Sequence, residues 1–241
     1  MNKIVIAGAS VYGLNNLSDD SMFYVFCRGL RYHIPDLDII LLARHPSLDL
    51  NETYGLKSIK NMDFDSKEES IGNFFRGLNR GDSTDHLKAI WEAISRADLL
   101  VIGGGPFIDI SIGLSKGLTP YVSLLVTVAK FVNTPVMMNG IHLGRPLETD
   151  LAKEMTRFCV SNSITGTLRE EKSRKLFQDI GVPVDRLITT ADAGFGLDPV
   201  IGESAGREIL RSEGIQLISP NLIGVTFRYM YWLWGESERE N

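Results

Sequence analysis

Five stretches of this sequence combine glycine with side chains that can hold a ligand or move a proton, and each follows a short apolar run. The first is Gly8-Ala9-Ser10-Val11-Tyr12-Gly13-Leu14-Asn15-Asn16-Leu17-Ser18-Asp19-Asp20. Its glycines permit tight turns and close approach of a ligand to the backbone, and a helix opening near Ser18–Asp20 offers N–H groups to an anion. It is not a phosphate P-loop, because Leu14 and Asn15 follow Gly13 where lysine and a hydroxyl residue are needed. It is not a dinucleotide fingerprint either, because Ala9-Ser10 breaks G-x-G-x-x-G. Ser18, Asp19 and Asp20 are also ordinary helix-capping residues, so capping and ligand binding both stand. As ligand groups, the two aspartates suit sugar hydroxyls better than phosphate, since carboxylates accept hydrogen bonds and repel anions.

The second stretch runs from Ala97 through Leu99-Leu100-Val101-Ile102 into Gly103-Gly104-Gly105 and on to Asp109. Three adjacent glycines exceed what a turn needs and expose backbone amides that can line a cleft. The third is Asn139-Gly140-Ile141-His142-Leu143-Gly144-Arg145. His142 can relay a proton near neutral pH, and Arg145 can hold a carboxylate or phosphate, while a surface histidine in a glycine-flanked loop is the plain alternative. The fourth, Ser163–Arg169 followed by Glu170-Glu171-Lys172-Ser173, ends a strand at Arg169, which reads equally as a solvated salt-bridging residue. The fifth, Thr189–Phe195, places Asp192 just after a strand, where it either faces a ligand or caps a turn.

These loops need a frame that brings them together. Short apolar runs (Lys3–Ala7, Asp38–Ala43, Leu99–Gly103, Pro135–Asn139, Ser163–Leu168, Leu187–Thr190) alternate with helical patterns (Ser21–His33, Asp85–Ala97, Pro120–Phe131, Leu147–Cys159, Glu170–Ile180). Nearly continuous apolar runs are expected of strands covered on both faces, and their alternation with helices predicts a doubly wound, mostly parallel, Rossmann-like α/β domain. In such sheets ligands collect at the carboxyl ends of the strands. The loops after Ala7, Ile102, Asn139, Leu168 and Ala191 are therefore expected on one edge, with Phe195 buried. The stretch from Asn51 to Asp85 is less regular, with one strand near Leu56–Met62. The domain is expected over residues 1–200. A helix at Glu203–Glu213 and a strand at Leu222–Arg228 then lead into the aromatic run Tyr229–Trp234, so that 201–241 reads as a linker helix and the opening of a second, incomplete domain.

Composition narrows the function classes. The chain has 241 residues, 44% hydrophobic and 23% charged, with a formal net charge of −5. That profile is a globular protein, and the negative charge argues against nucleic acid or anionic lipid as partner. The two cysteines, Cys27 and Cys159, form no metal or disulfide pattern, which fits a reducing compartment. The apolar run after Lys3 breaks at Gly8 instead of extending into a signal-peptide core, and no run approaches the roughly 20 apolar residues of a membrane span. A cytoplasmic protein is expected.

The ordered set of motifs resembles the polysaccharide pyruvyl transferase family. The likeness lies in Tyr12-Gly13 with Asn16–Asp20, in Ala97–Gly105 through Asp109, in Gly140–Gly144, in Thr165–Arg169 with Ser173, Leu176 and Gly181-Val182, and in Ala191–Phe195. It spans about residues 3–200 and departs at Ser18, where the family usually has glycine, and at Thr167–Glu171. The resemblance implies one half of a GT-B-like fold and transfer of pyruvate from phosphoenolpyruvate, as donor substrate with no other cofactor, to the hydroxyls of a glycan or lipid-linked sugar, at the inner face of the membrane. It implies Asn16, Asp19, Asp20 and Asp109 as groups orienting the sugar, Arg169 facing phosphate or carboxylate, and His142 as proton donor. Gly8, Gly103, Gly104, Gly105, Gly140 and Asp192 complete the expected binding edge, and His142, Asp19 and Arg169 the expected catalytic set. Part of the donor site is expected from a second domain or a partner chain covering Tyr229–Trp234, so that this chain alone should not turn over. A nucleotide-sugar transferase with the same cleft and a non-catalytic glycan-binding fragment are the alternatives.

Overall fold

The computed structural model describes residues 2–8, 17–61, 85–103, 118–144, 146–198 and 202–215. Two compact units divide the chain at Leu197/Asp198.

The first unit runs β1 (Lys3–Gly8), α1 (Leu17–His33), β2 (Asp38–Ala43), α2 (Leu48–Tyr54), β3 (Lys57–Lys60), α3 (Asp85–Ser95), β4 (Leu99–Gly103), α4 (Leu118–Phe131), β5 (Val136–Ile141), α5 (Asp150–Ser161), β6 (Thr165–Leu168), α6 (Glu171–Asp179) and β7 (Leu187–Thr189). A single 3-10 turn, Ala193–Gly196, follows. All seven strands pair in parallel in the order β3-β2-β1-β4-β5-β6-β7. The order reverses between β1 and β4, the switch point of a doubly wound sheet. The sheet is the α/β architecture expected from the sequence. In the second unit, the described element is α7 (Glu203–Ser212). The expected strand at Leu222–Arg228 and the aromatic run Tyr229–Trp234 lie outside the described residues. Among the described residues, no helix is long and apolar enough to cross a membrane.

Two apolar layers hold the sheet. On one face Val5, Ala7, Leu100, Ile102, Val136, Met138 and Leu168 pack against Ile90, Ile94, Leu125, Val126, Ala152, Cys159 and Phe177 of α3–α6. On the other, Ile4, Ile6, Ile39, Leu41 and Val101 meet Phe23, Cys27 and Leu50 of α1 and α2. Each of these large side chains, removed from water, contributes about 1.5–3 kcal/mol. After their first residues, β2, β1 and β4 are thus apolar and buried, whereas the edge strand β3 carries Lys57, Ser58 and Lys60. Beyond β4 the pattern changes: β6 alternates buried Gly166 and Leu168 with half-buried Thr165 and Thr167. In β7, Ile188 is exposed. These strands bury one face among the described residues, so they read shorter than the apolar run Ser163–Leu168 suggests.

Three local differences from the sequence reading have physical causes. Helix α1 begins at Leu17, so Ser18, Asp19 and Asp20 occupy its first turn, where carboxylates favour the helix dipole, and do not precede it. The irregular region contains helix α2, whose Ser47 hydroxyl accepts the Leu50 N–H and whose cap Gly55 has φ of 58°. The expected burial of Phe195 is wrong. Its ring is 88% exposed, because the flanking glycines take the packing positions: a Cβ on Gly196 would lie 2.8 Å from Val25 Cγ1 of α1.

Candidate functional site

Because every strand is parallel, the segments after β1, β4, β5, β6 and β7 all leave from the same edge. Register aligns three of their residues: Gly8 of β1 pairs with Gly103 of β4, which pairs with Asn139 of β5. Neither glycine projects a side chain over that stretch of sheet.

Strand β5 then departs from regularity. Met138 pairs with Gly166 and Ile141 with Leu168, so Asn139 and Gly140 together stand opposite the single residue Thr167. The extra residue is a β-bulge, accommodated by Gly140 at φ of 62°, a left-handed conformation that side chains disfavour. The Thr167 hydroxyl ties both bulge residues down. It accepts the Gly140 N–H at 2.7 Å and donates to Asn139 Oδ1 at 3.3 Å.

Past the bulge, three side chains form one chain of polar contacts. Arg169 follows β6 and donates from one guanidinium nitrogen to Asp192 Oδ2 at 3.0 Å. Its other terminal nitrogen lies 2.9 Å from His142 Nε2. A guanidinium can only donate, so His142 Nε2 accepts and the imidazole carries its proton on Nδ1. Asp192 is fixed in turn by the Gly194 N–H on Oδ1 at 2.9 Å, which caps the 3-10 turn. Asp192 therefore caps a turn, one of the two readings open to it from sequence, and at the same time grips Arg169.

His142 is 8% exposed, and its Nδ1 has no hydrogen-bond partner among the described residues. Burial, and then the adjacent Arg169 charge, push its pKa down to about 4, against weaker opposing pulls from Glu170 and Asp192. The ring is neutral at physiological pH. Its backbone is held by Ser173, whose hydroxyl accepts the Leu143 N–H at 2.9 Å and donates to Glu170 Oε1 at 3.0 Å.

Beside this chain lies a small cleft, open to solvent and lined by Met22, Phe26, Asn139, Gly140, Arg169, Asp192 and Ala193. One wall is apolar, from α1, and the opposite one is polar, from the strand ends. Of the expected site residues, Arg169, Asp192 and Gly140 line it and His142 backs it. Gly8 and Gly103 end neighbouring strands. Asp19 is half-buried one turn before Met22 on the same stripe of α1. Asp20 is half-buried near Tyr54, whose pKa it helps to raise; neither aspartate lines the cleft. Asn16, Gly104, Gly105, Asp109 and Arg145 lie outside the described residues. Asn139, Met22 and Phe26 were not singled out from sequence. Asn139 sat in the third motif only as a flank, and the two apolar residues carry no signal apart from the helical stripe that buries α1.

A search of curated proteins finds no significant match. Among solved structures, the fold is similar to Anabaena Alr3699/HepE in complex with UDP and glucose, at 10% identity and a TM-score of 0.55, covering 89% of this chain and 50% of that one. It is also similar to UDP-GlcNAc 2-epimerase from Neisseria meningitidis bound to UDP-GlcNAc, at 13% identity and a TM-score of 0.52, covering 90% of this chain and 54% of that one. The chain spans about half the length of these structures, and the likeness is that of one half of a GT-B fold. The profile of the polysaccharide pyruvyl transferases matches residues 13–228, nearly the whole chain and all five loops of the edge save its first residues, and the chain belongs to the polysaccharide pyruvyl transferase family.

Proposed function

We propose that the edge around Arg169 serves the transfer of pyruvate from phosphoenolpyruvate to two hydroxyls of a sugar, as part of a larger two-walled site. The observation that carries this reading is the placement of Arg169. It is held at a sheet's carboxyl edge between Asp192 and a neutral His142, beside a cleft it lines. In the reaction, the enol carbon gains a proton and becomes a methyl group. Both sugar oxygens bond to the adjacent carbon, and phosphate leaves; of the two hydroxyl protons, one ends on the methyl and the other on phosphate. Such a step needs a cation near the donor's charge, acceptors for the hydroxyl protons and a proton source.

Arg169 suits the first task, since its two anchoring bonds leave N–H groups for a ligand. Asp192 suits the second. His142 at rest holds Arg169 and is neutral. A bound phosphoenolpyruvate brings negative charge that raises its pKa toward protonation, and the ring then suits the third. The family's catalysis across a cleft requires groups from both walls in near-attack geometry, and Arg169, Asp192 and His142 belong to one wall. A cytoplasmic enzyme acting on a lipid-linked or exported glycan at the inner membrane face is the setting this chemistry fits.

The test is phosphate release from phosphoenolpyruvate by the purified chain, with and without a second-half domain, in the presence of sugar acceptors. Release that requires both sugar and Arg169 supports the reading; no release with the complete site overturns it. A second reading, transfer from a nucleotide sugar, draws on the structural neighbours, which hold UDP or UDP-GlcNAc. Calorimetric titration of phosphoenolpyruvate against UDP-sugars separates the two.

A further inference from the structure

We infer that Asn139 is a ligand-contacting residue of the cleft, that Thr167 positions it, and that their ligand is a pair of neighbouring sugar hydroxyls. The acceptor's place in a transfer reaction rests on the function proposed above, but the binding geometry stands on its own observations. The bulge puts Asn139 and Gly140 opposite Thr167, and the threonine hydroxyl bonds to both. Since its single proton goes to Asn139 Oδ1, the amide carbonyl is taken. Asn139 Nδ2 has no partner among the described residues, while the residue lines the cleft. Two N–H donors are thereby aimed by a hydrogen bond instead of left to rotate.

What these donors meet follows from charge and shape. Among the described lining residues Arg169 is the one cation, and Asp192 compensates it at 3.0 Å, so the groups beside Asn139 add hydrogen-bonding capacity and no second positive charge. The lining offers amide donors from Asn139, remaining guanidinium donors from Arg169, and spare lone pairs on Asp192, whose two oxygens each hold one bond. Hydroxyl groups use both kinds at once, as donor and acceptor, whereas an anion uses only donors. The opposite wall of Met22 and Phe26 suits the C–H face of a sugar ring.

The test uses the 15N-labelled chain. The Asn139 side-chain amide signal is identified by its loss in Asn139→Asp, with the Gly140 backbone N–H as second reporter. Methyl glycosides of glucose, galactose and mannose are titrated to about 0.1 M, well above a millimolar Kd, alongside phosphoenolpyruvate and inorganic phosphate. The expected result is a saturable shift of both signals with at least one glycoside. Asn139→Asp and Thr167→Val should each weaken binding about tenfold or more, and Thr167→Ser, which keeps the hydroxyl, should restore it. No shift with any glycoside, shifts with the anions alone, or full binding by Thr167→Val in a folded chain each overturns the inference. Phosphate release scores the transferase reading separately. Glycoside shifts without release sink only that reading, and release without shifts sinks only this one.

Discussion

Acid should destabilise this protein through His142, by an amount the structure sets. In the folded state the ring's pKa is about 4, against 6.5 for an ordinary histidine. Above pH 6.5 it is neutral whether folded or unfolded, and the contribution to stability is complete. As pH falls, the unfolded chain takes up a proton that the native ring refuses, so stability is lost until the folded value is reached near pH 4. A difference of about 2.5 units corresponds to a total loss of about 3 kcal/mol, of which about 2 kcal/mol should be gone at pH 5. Glu170 and Asp192 are the carboxylates whose charges act on the ring. The control is His142→Gln, which keeps an acceptor for Arg169 but cannot titrate. Urea unfolding followed by circular dichroism at pH 7, 6 and 5 measures both proteins. With a slope of roughly 2–3 kcal/mol/M, the wild-type midpoint should fall by about 0.7–1 M more than the variant's. A wild-type-minus-variant difference flat to within about 0.5 kcal/mol would refute the assignment of a buried, neutral, Arg169-bonded imidazole.

Other parts of the fold yield further expectations. Gly166→Ala places a Cβ 2.8 Å from Leu187 Cδ2 and 3.1 Å from the Met138 carbonyl oxygen, and thermal unfolding should report a loss of about 1–3 kcal/mol. Gly140→Ala meets no atom within 4 Å, so its cost should be only the backbone strain at positive φ, about 1 kcal/mol; equal losses at both glycines would contradict this separation. Ser173→Ala strips the Leu143 N–H of its buried partner and should cost roughly 1–3 kcal/mol, lowering Tm by several degrees. Burial pushes the thiols of Cys27 and Cys159 up to about 12, so a disulfide reagent at pH 8 should label neither until denaturant is added, and fast labelling of the native chain would show the packing to be wrong.

The strands that the sequence reveals best are those buried on both faces. Asp38–Ala43 and Leu99–Gly103 have the bounds their apolar runs imply, because every residue after the exposed Asp38 in the first, and the whole of the second, had to be free of polar side chains. Where only one face is covered, as in β6, the run no longer marks the strand. Helix α2 escaped notice because its seven residues bury only Leu50; its signal was in the flanks, Ser47 and Gly55. The convergence of Arg169, His142 and Asp192 was legible because parallel topology forces strand ends onto one edge, whatever the residues between. The bulge was not, since an extra residue is extra only relative to the neighbouring strand. Phe195 misled because aromatic size argues for burial, while the local packing positions belong to the glycines on either side.

That extra residue also changes parity within β5. Before it, the even positions Val136 and Met138 face the larger apolar layer; after it, the odd positions Ile141 and Leu143 do. His142 is thereby turned to the side of the sheet on which Thr167 and Arg169 stand. Deleting one residue from Asn139-Gly140 would restore an unbroken two-residue alternation, and the imidazole would be traded into the apolar layer while Ile141 faced the cleft. Length at this point is therefore as strict a requirement as residue type. A relative with a one-residue gap here would keep the strand, the motif letters and the fold, yet present the opposite side of every later side chain to its ligand.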